Sequence, residues 1–165
     1  MSLSDRSRRG ALAALLTATL SLAACGFTPA YAPNGAANSL QNAVLTFEPD
    51  TRQEYLLVQR LEERLGRPVS PTYALDVALT IESTGTAQSG GATRSQITGK
   101  ATFALKRIGT KVILTEGRVE TFTGYSTTGS TVSERAARSA AEERLMVILA
   151  DQIVDRLILA APDLP

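Results

Sequence analysis

The side chains in this sequence that could do chemistry are few, and their spacing decides which chemistry remains. There is one cysteine, Cys25, and no histidine. Without an imidazole the chain has no Ser-His-Asp or Cys-His system, no ordinary general base near neutral pH, and none of the commonest zinc ligand. A lone thiol forms neither an internal disulfide nor a CxxC site. The carboxylates are placed no better. Glu62-Glu63 and Glu142-Glu143 fall on the polar sides of helical patterns, where solvated charge is the expected state. Asp76 and Glu82 stand six residues apart on one strand pattern. That is roughly 20 Å, too far for both to act on one glycosidic bond. Serines and threonines are abundant, but none sits in a GxSxG elbow, and no P-loop, dinucleotide-binding glycine pattern or metal cluster is present. The expectation is a protein that is not an enzyme and uses no cofactor or metal.

Cys25 therefore needs another explanation, and its surroundings supply one. Arg6, Arg8 and Arg9 precede an uncharged stretch from Gly10 to Ala24 made mostly of Ala, Leu and Thr. A basic segment followed by an apolar one is the layout of an export signal. The stretch is shorter than the roughly 20 residues a spanning helix needs. It is also apolar all round, with no single stripe to bury against a core. Leu22-Ala23-Ala24-Cys25 closes it and resembles the lipobox of bacterial lipoproteins. In that family the signal is cut between the residues at the positions of Ala24 and Cys25. The thiol carries a diacylglycerol and the new amino terminus is acylated; one acyl chain binds a membrane marginally, whereas several anchor durably. On this resemblance Cys25 is a membrane tether. Gly26 stands where an Asp commonly holds lipoproteins in the inner membrane, so the resemblance implies the outer one. Arg8-Arg9 after Ser7 is similar to a twin-arginine signal, but Ala11 occupies a position usually held by a bulky apolar residue. Ordinary Sec export is the expectation, with the other route left open.

These residues imply three segments: a signal peptide over 1–24, a lipidated N-terminus and flexible tether over 25–42, and one domain over 43–165. Residues 26–42 are rich in Ala, Asn, Gly and Pro and carry no charge. The whole chain is 44% hydrophobic and 20% charged with net charge near +1, an ordinary globular balance that makes no case for nucleic acid.

Within the domain, Ala43 to Phe47 reads as a strand stopped by Pro49. Thr51-Arg52-Gln53-Glu54 fits a capping box, with Leu57, Val58, Leu61 and Leu65 on one helical face and Gly66 ending the helix. Thr72 to Ser83 alternates strictly: Tyr73, Leu75, Val77, Leu79 and Ile81 face one way, Asp76 and Glu82 the other. Ile97, Ala101, Phe103 and Leu105 continue the pattern, with Lys100 and Lys106 opposite. A turn at Ile108-Gly109 leads to a last strand, Lys111 to Tyr125, whose change of parity predicts a bulge near Glu116-Gly117. A second capping box at Thr131 to Glu134 opens a long helix lined by Ala137, Ala141, Leu145, Ile148, Leu149, Ile153 and Leu157 and ended by Pro162. Asp151, Asp155 and Arg156 within it argue against a membrane span. The order β-α-β-β-β-α predicts an α+β two-layer sandwich, a four-stranded mixed sheet with two helices on one face.

The other face carries Thr, Ala, Lys and Glu. Arg94, Lys100, Lys106, Arg107 and Lys111 cluster along the middle hairpin and are the candidate contacts for an anionic lipid, since paired phosphates suit Lys and Arg donors. Cys25-Gly26-Phe27-Thr28-Pro29-Ala30-Tyr31 directly after the lipobox, the element order, the glycine-containing loop before the third strand and the long last helix together resemble the LptE family of lipopolysaccharide-assembly lipoproteins. That resemblance implies a plug inside the outer-membrane barrel LptD, which helps the barrel fold and binds lipopolysaccharide during its insertion. The loop Gly85 to Ala92 and the segment Thr127 to Val132 contain no basic residue, so Arg94 and Lys100 are the nearest candidates for the lipid. The alternative is an accessory lipoprotein of another envelope lipid transporter.

Overall fold

The computed structural model describes residues 35–84 and 94–164; the export signal, Cys25 and the loop Gly85 to Ala92 lie outside the described residues. The elements are α1 (Ala36–Leu40), β1 (Val44–Thr46), α2 (Arg52–Leu65), β2 (Tyr73–Thr84), β3 (Arg94–Arg107), β4 (Ile113–Ser126) and α3 (Thr131–Ala160), followed by a 3₁₀ turn over Ala161–Asp163. The strands form one four-stranded sheet in the order β1-β2-β3-β4. The β1–β2 pair is parallel and the other two are antiparallel, so the sheet is mixed. The helices cover one face, and the α+β sandwich stands as expected.

The local reasons are visible at α2. Thr51 Oγ1 accepts the Glu54 N–H at 3.2 Å, and Glu54 Oε2 accepts the N–H of Thr51 at 3.0 Å and of Asp50 at 2.9 Å. These bonds satisfy donors that a helix start leaves open. At its other end Gly66 takes φ +80°, and a Cβ there would fall 2.1 Å from Asn42 Oδ1. Asn42 N–H donates to Leu65 O at 2.7 Å and Gln41 Nε2 to Arg64 O at 2.9 Å, so the chain before β1 caps the carbonyl end of α2.

That capping corrects the tether reading for residues 36–42; residues 25–34 lie outside the described residues. Ala36–Leu40 is a helix whose Leu40 is fully buried in the core. Five residues are too few to show a helical period, and packing alone holds so short a helix. Two further corrections concern position. The second helix cap is Ser130, not Thr131: Ser130 and Ser133 exchange hydroxyl and N–H bonds at 3.3 and 3.1 Å. The irregularity in β4 lies at Leu114, between the pairs Leu105–Thr115 and Lys106–Ile113, and not at Glu116-Gly117. One extra residue does reset the face there, as the change of parity requires. Gly117 has a different job: a Cβ on it would lie 2.7 Å from Phe103 Cζ, so the glycine makes room for the ring of its cross-strand neighbour.

The core lies between sheet and helices, from Leu75, Ile97, Ala101, Phe103 and Leu105 to Leu57, Leu61, Leu145, Leu149, Ile153 and Leu157. Met146 and Val154 join it, while Ile148, assigned to the buried face by spacing, is 38% exposed.

Candidate functional site

The surface that the fold does not consume is the second face of the sheet. Even-numbered residues of β2, of β3 and of β4 beyond its bulge point to it, because odd-numbered ones go into the core. It bears Thr80, Thr98 and Thr102, several alanines, and a lattice of charge. Lys100 Nζ stands 3.2 Å from Glu82 Oε2 on β2 and 3.9 Å from Glu120 Oε1 on β4. Lys106 pairs with Asp76, and Arg118 reaches Glu120 at 3.3 Å. The pairs Lys100–Glu82 and Lys106–Asp76 are diagonal in the register, where long side chains still meet. Asp76 and Glu82, dismissed as a catalytic pair for their separation, thus serve as counter-ions of the two central lysines. Phe122, 63% exposed, stands on the same face, with Leu45 beside Ala74 and Ile113 beside Lys106 at its edges.

The five basic candidates do not converge. Arg94 begins β3 opposite Ser126, and Arg107 ends it opposite Tyr73. Thirteen residues of strand separate the two by about 43 Å. Lys111 is exposed in the turn beyond Arg107. Arg94 stands near one end of the sheet and Lys106, Arg107 and Lys111 near the other, with the ion-paired Lys100 between. Ala24 and Cys25 lie outside the described residues.

Two charge clusters went unseen in the sequence. Arg60 grips Asp151 with both arms of its guanidinium, Nε to Oδ1 at 3.0 Å and Nη2 to Oδ2 at 3.1 Å. Arg64 adds a bond to Asp151 at 2.8 Å and reaches Asp155 at 3.5 Å. Asp151 and Asp155, inside the apolar part of α3, therefore tie it to α2. Glu142, read as solvated, has a side chain only 13% exposed. It accepts from Arg138 at 3.1 Å and Gln53 at 3.2 Å, with Arg52 at 3.8 Å. The i, i+4 spacing of Arg138 and Glu142 was a usable signal for one of these contacts; the rest need the α2–α3 packing. Glu54, beside the same cleft, is held below the usual carboxylate range by the N–H of Asp50 and then by Thr51. The contacts of Glu142 tie the start of α2 to α3.

Among the described residues, no three candidate metal ligands come together. None of the described helices is long and apolar enough to cross a membrane.

The family model for LptE, described as lipopolysaccharide-assembly, matches residues 39–157. No curated protein matches the sequence. Among solved structures, a lipoprotein from Caulobacter crescentus CB15 superposes with TM-score 0.65 at 21% identity, over 75% of this chain and 93% of that one. A minor lipoprotein from Acinetobacter baumannii gives 0.54 at 19% identity, over 74% and 92%. The rare lipoprotein B from Shewanella oneidensis gives 0.53 at 13% identity, over 70% and 91%. At these identities the likeness is one of fold.

Proposed function

The chain belongs to the LptE family of lipopolysaccharide-assembly proteins, and from that premise we propose that it is an outer-membrane lipoprotein that plugs an LptD-type barrel. In this reading residues 1–24 are removed, Cys25 carries the lipid, and the domain supports the barrel's folding while lipopolysaccharide passes to the outer leaflet. The domain binds; it does not catalyse. The observation that carries the reading is the uncovered sheet face. It is broad, threonine-rich and internally charge-paired, with Lys100 and Lys106 balanced by Glu82, Glu120 and Asp76. Such a face can stand against a polar, water-lined barrel wall without leaving Lys100 or Lys106 as a naked charge.

Among the basic candidates, Arg94 and Lys100 stay with the lipopolysaccharide reading. Both are on β3 toward the end that leads into residues 85–93, and phosphates would replace the carboxylates around Lys100. Changing both to Ala should weaken lipopolysaccharide binding several-fold while folding and barrel association persist; unchanged binding would leave them as surface charges. The plug itself is tested by photo-crosslinkers placed at Thr102 and Phe122 on the uncovered face. Capture of a large outer-membrane barrel supports it. Capture of an inner-membrane transporter would move the protein to the accessory-lipoprotein class.

A further inference from the structure

One end of the sheet collects features that neither the fold nor a barrel plug requires. Val44 pairs with Tyr73, Tyr73 with Arg107, and Lys106 with Ile113, so these residues form one row across the strands. The loops beyond that row therefore share an end. Ile108 N–H donates to Thr72 O at 3.0 Å and Thr72 N–H to Ala43 O at 2.9 Å, which binds the β3–β4 turn, the α2–β2 connection and the start of β1 together.

The turn is ordered. Thr110 donates both its N–H, at 3.2 Å, and its hydroxyl, at 3.0 Å, to Arg107 O, and Gly109 takes φ +75°. It nevertheless presents apolar side chains to water: Val112 is 60% exposed and Ile113 48%, with Ile108 close behind, while Val69 on the neighbouring connection is fully exposed. Lys111 stands exposed among them, and no acidic residue occurs from Arg107 through Thr115. Aliphatic side chains interleaved with cations on a structured tip suit the boundary between acyl chains and anionic headgroups.

The position of the chain's beginning says what lies under this end. α1, the first element among the described residues, leads straight into the row at Val44 and packs against the C-terminal 3₁₀ turn. Nine residues lie between Cys25 and Gly35. Even fully extended they span at most about 35 Å. An acylated Cys25 would hold this end within that distance of the bilayer. We infer that the β3–β4 turn, with Lys111 and Val112 at its tip and Ile113 at the start of β4, is a second membrane contact that seats the anchored domain upright on an anionic phospholipid leaflet before it meets a barrel. The inference rests on the anchor reading of Cys25.

The test uses the full-length chain purified from the membrane fraction and reconstituted in vesicles of phosphatidylethanolamine and phosphatidylglycerol. A fluorophore is attached at Val112→Cys or, at the opposite end of β4, at Thr128→Cys. The strand between them, Ile113–Ser126, is about 43 Å long. A lipid-borne quencher should quench the first label several-fold more than the second, and Lys111→Glu should reduce that quenching on anionic vesicles but not on neutral ones. Equal quenching at both positions, or none at Val112→Cys while the chain floats with the vesicles, overturns the inference and leaves the anchor standing. Insensitivity to Lys111→Glu overturns its electrostatic part. A chain that does not float overturns the anchor reading and the inference with it.

Discussion

The two faces of this sheet come from the same three long strands and obey opposite rules. On the inner face Ile97, Ala101 and Leu105 are fully buried, and each is fixed by what it packs against. Gly99 belongs to this set: a Cβ on it would lie 2.8 Å from Leu149 Cδ1, so the helix approaches as closely as the backbone allows. On the outer face no side chain is needed by the core, and charges meet pairwise across strands. The lesson is where to look for function. A surface that the fold leaves unconstrained, yet that is arranged as neutral ion pairs and threonines, is the one available to a partner.

Four substitutions or titrations break or sharpen that contrast. The largest effect belongs to the inner face. Leu149→Ala should lower unfolding free energy by about 3 kcal/mol, read from the denaturant midpoint, because it removes a fully buried side chain and leaves a cavity. Asp151→Asn comes next, at about 1 kcal/mol, since Arg60 and Arg64 lose a shared carboxylate whose side chain is 29% exposed and thus partly screened. A loss as large as that of Leu149→Ala would mean that the α2–α3 charges, and not the apolar layer, dominate the packing.

Smaller still is the pH dependence of the α2 start. The folded Glu54 carboxyl is held below its ordinary value by the Asp50 and Thr51 N–H groups. Its contribution is therefore full above the unfolded-state value and disappears as pH falls through the lower, folded one. Glu54→Gln should remove that part of the acid sensitivity, which paired denaturation curves from pH 6 down to about pH 3 would show. The least change is expected on the outer face: Lys106→Ala should alter stability by no more than about 0.5 kcal/mol, because exposed ion pairs contribute little. A drop several times larger would show that the outer lattice holds the sheet together and is not simply presented to a partner.

What was legible in the sequence follows the same divide. Strict alternation from Tyr73 to Ile81 and the Thr51–Glu54 box bounded by Gly66 were readable because each is set by near neighbours. The inner face of β3 was readable for the same reason. The helix at Ala36–Leu40 was not, because Leu40 is held by residues far along the chain. The bulge was inferable from parity but could be located only once Leu114 was seen to be skipped in the pairing of β3 with β4. Thr131 and Ser130 offer the same hydroxyl chemistry, and Ser130 holds the extended backbone of a cap, φ −76° and ψ 159°, while Thr131 is already the first helical residue. The basic candidates were correctly placed on the outer face at Lys100 and Lys106, but their acidic partners depend on strand register. Spacing along one strand could not reveal them.

The central claim is that the domain fills an outer-membrane barrel. Its most direct test is copurification of the C-terminally tagged chain from detergent-solubilised envelope, with the partner's mass and stoichiometry measured. The account predicts one large outer-membrane barrel of the LptD type per chain. Recovery of the chain alone, or with an inner-membrane transporter in equal amount, would contradict it.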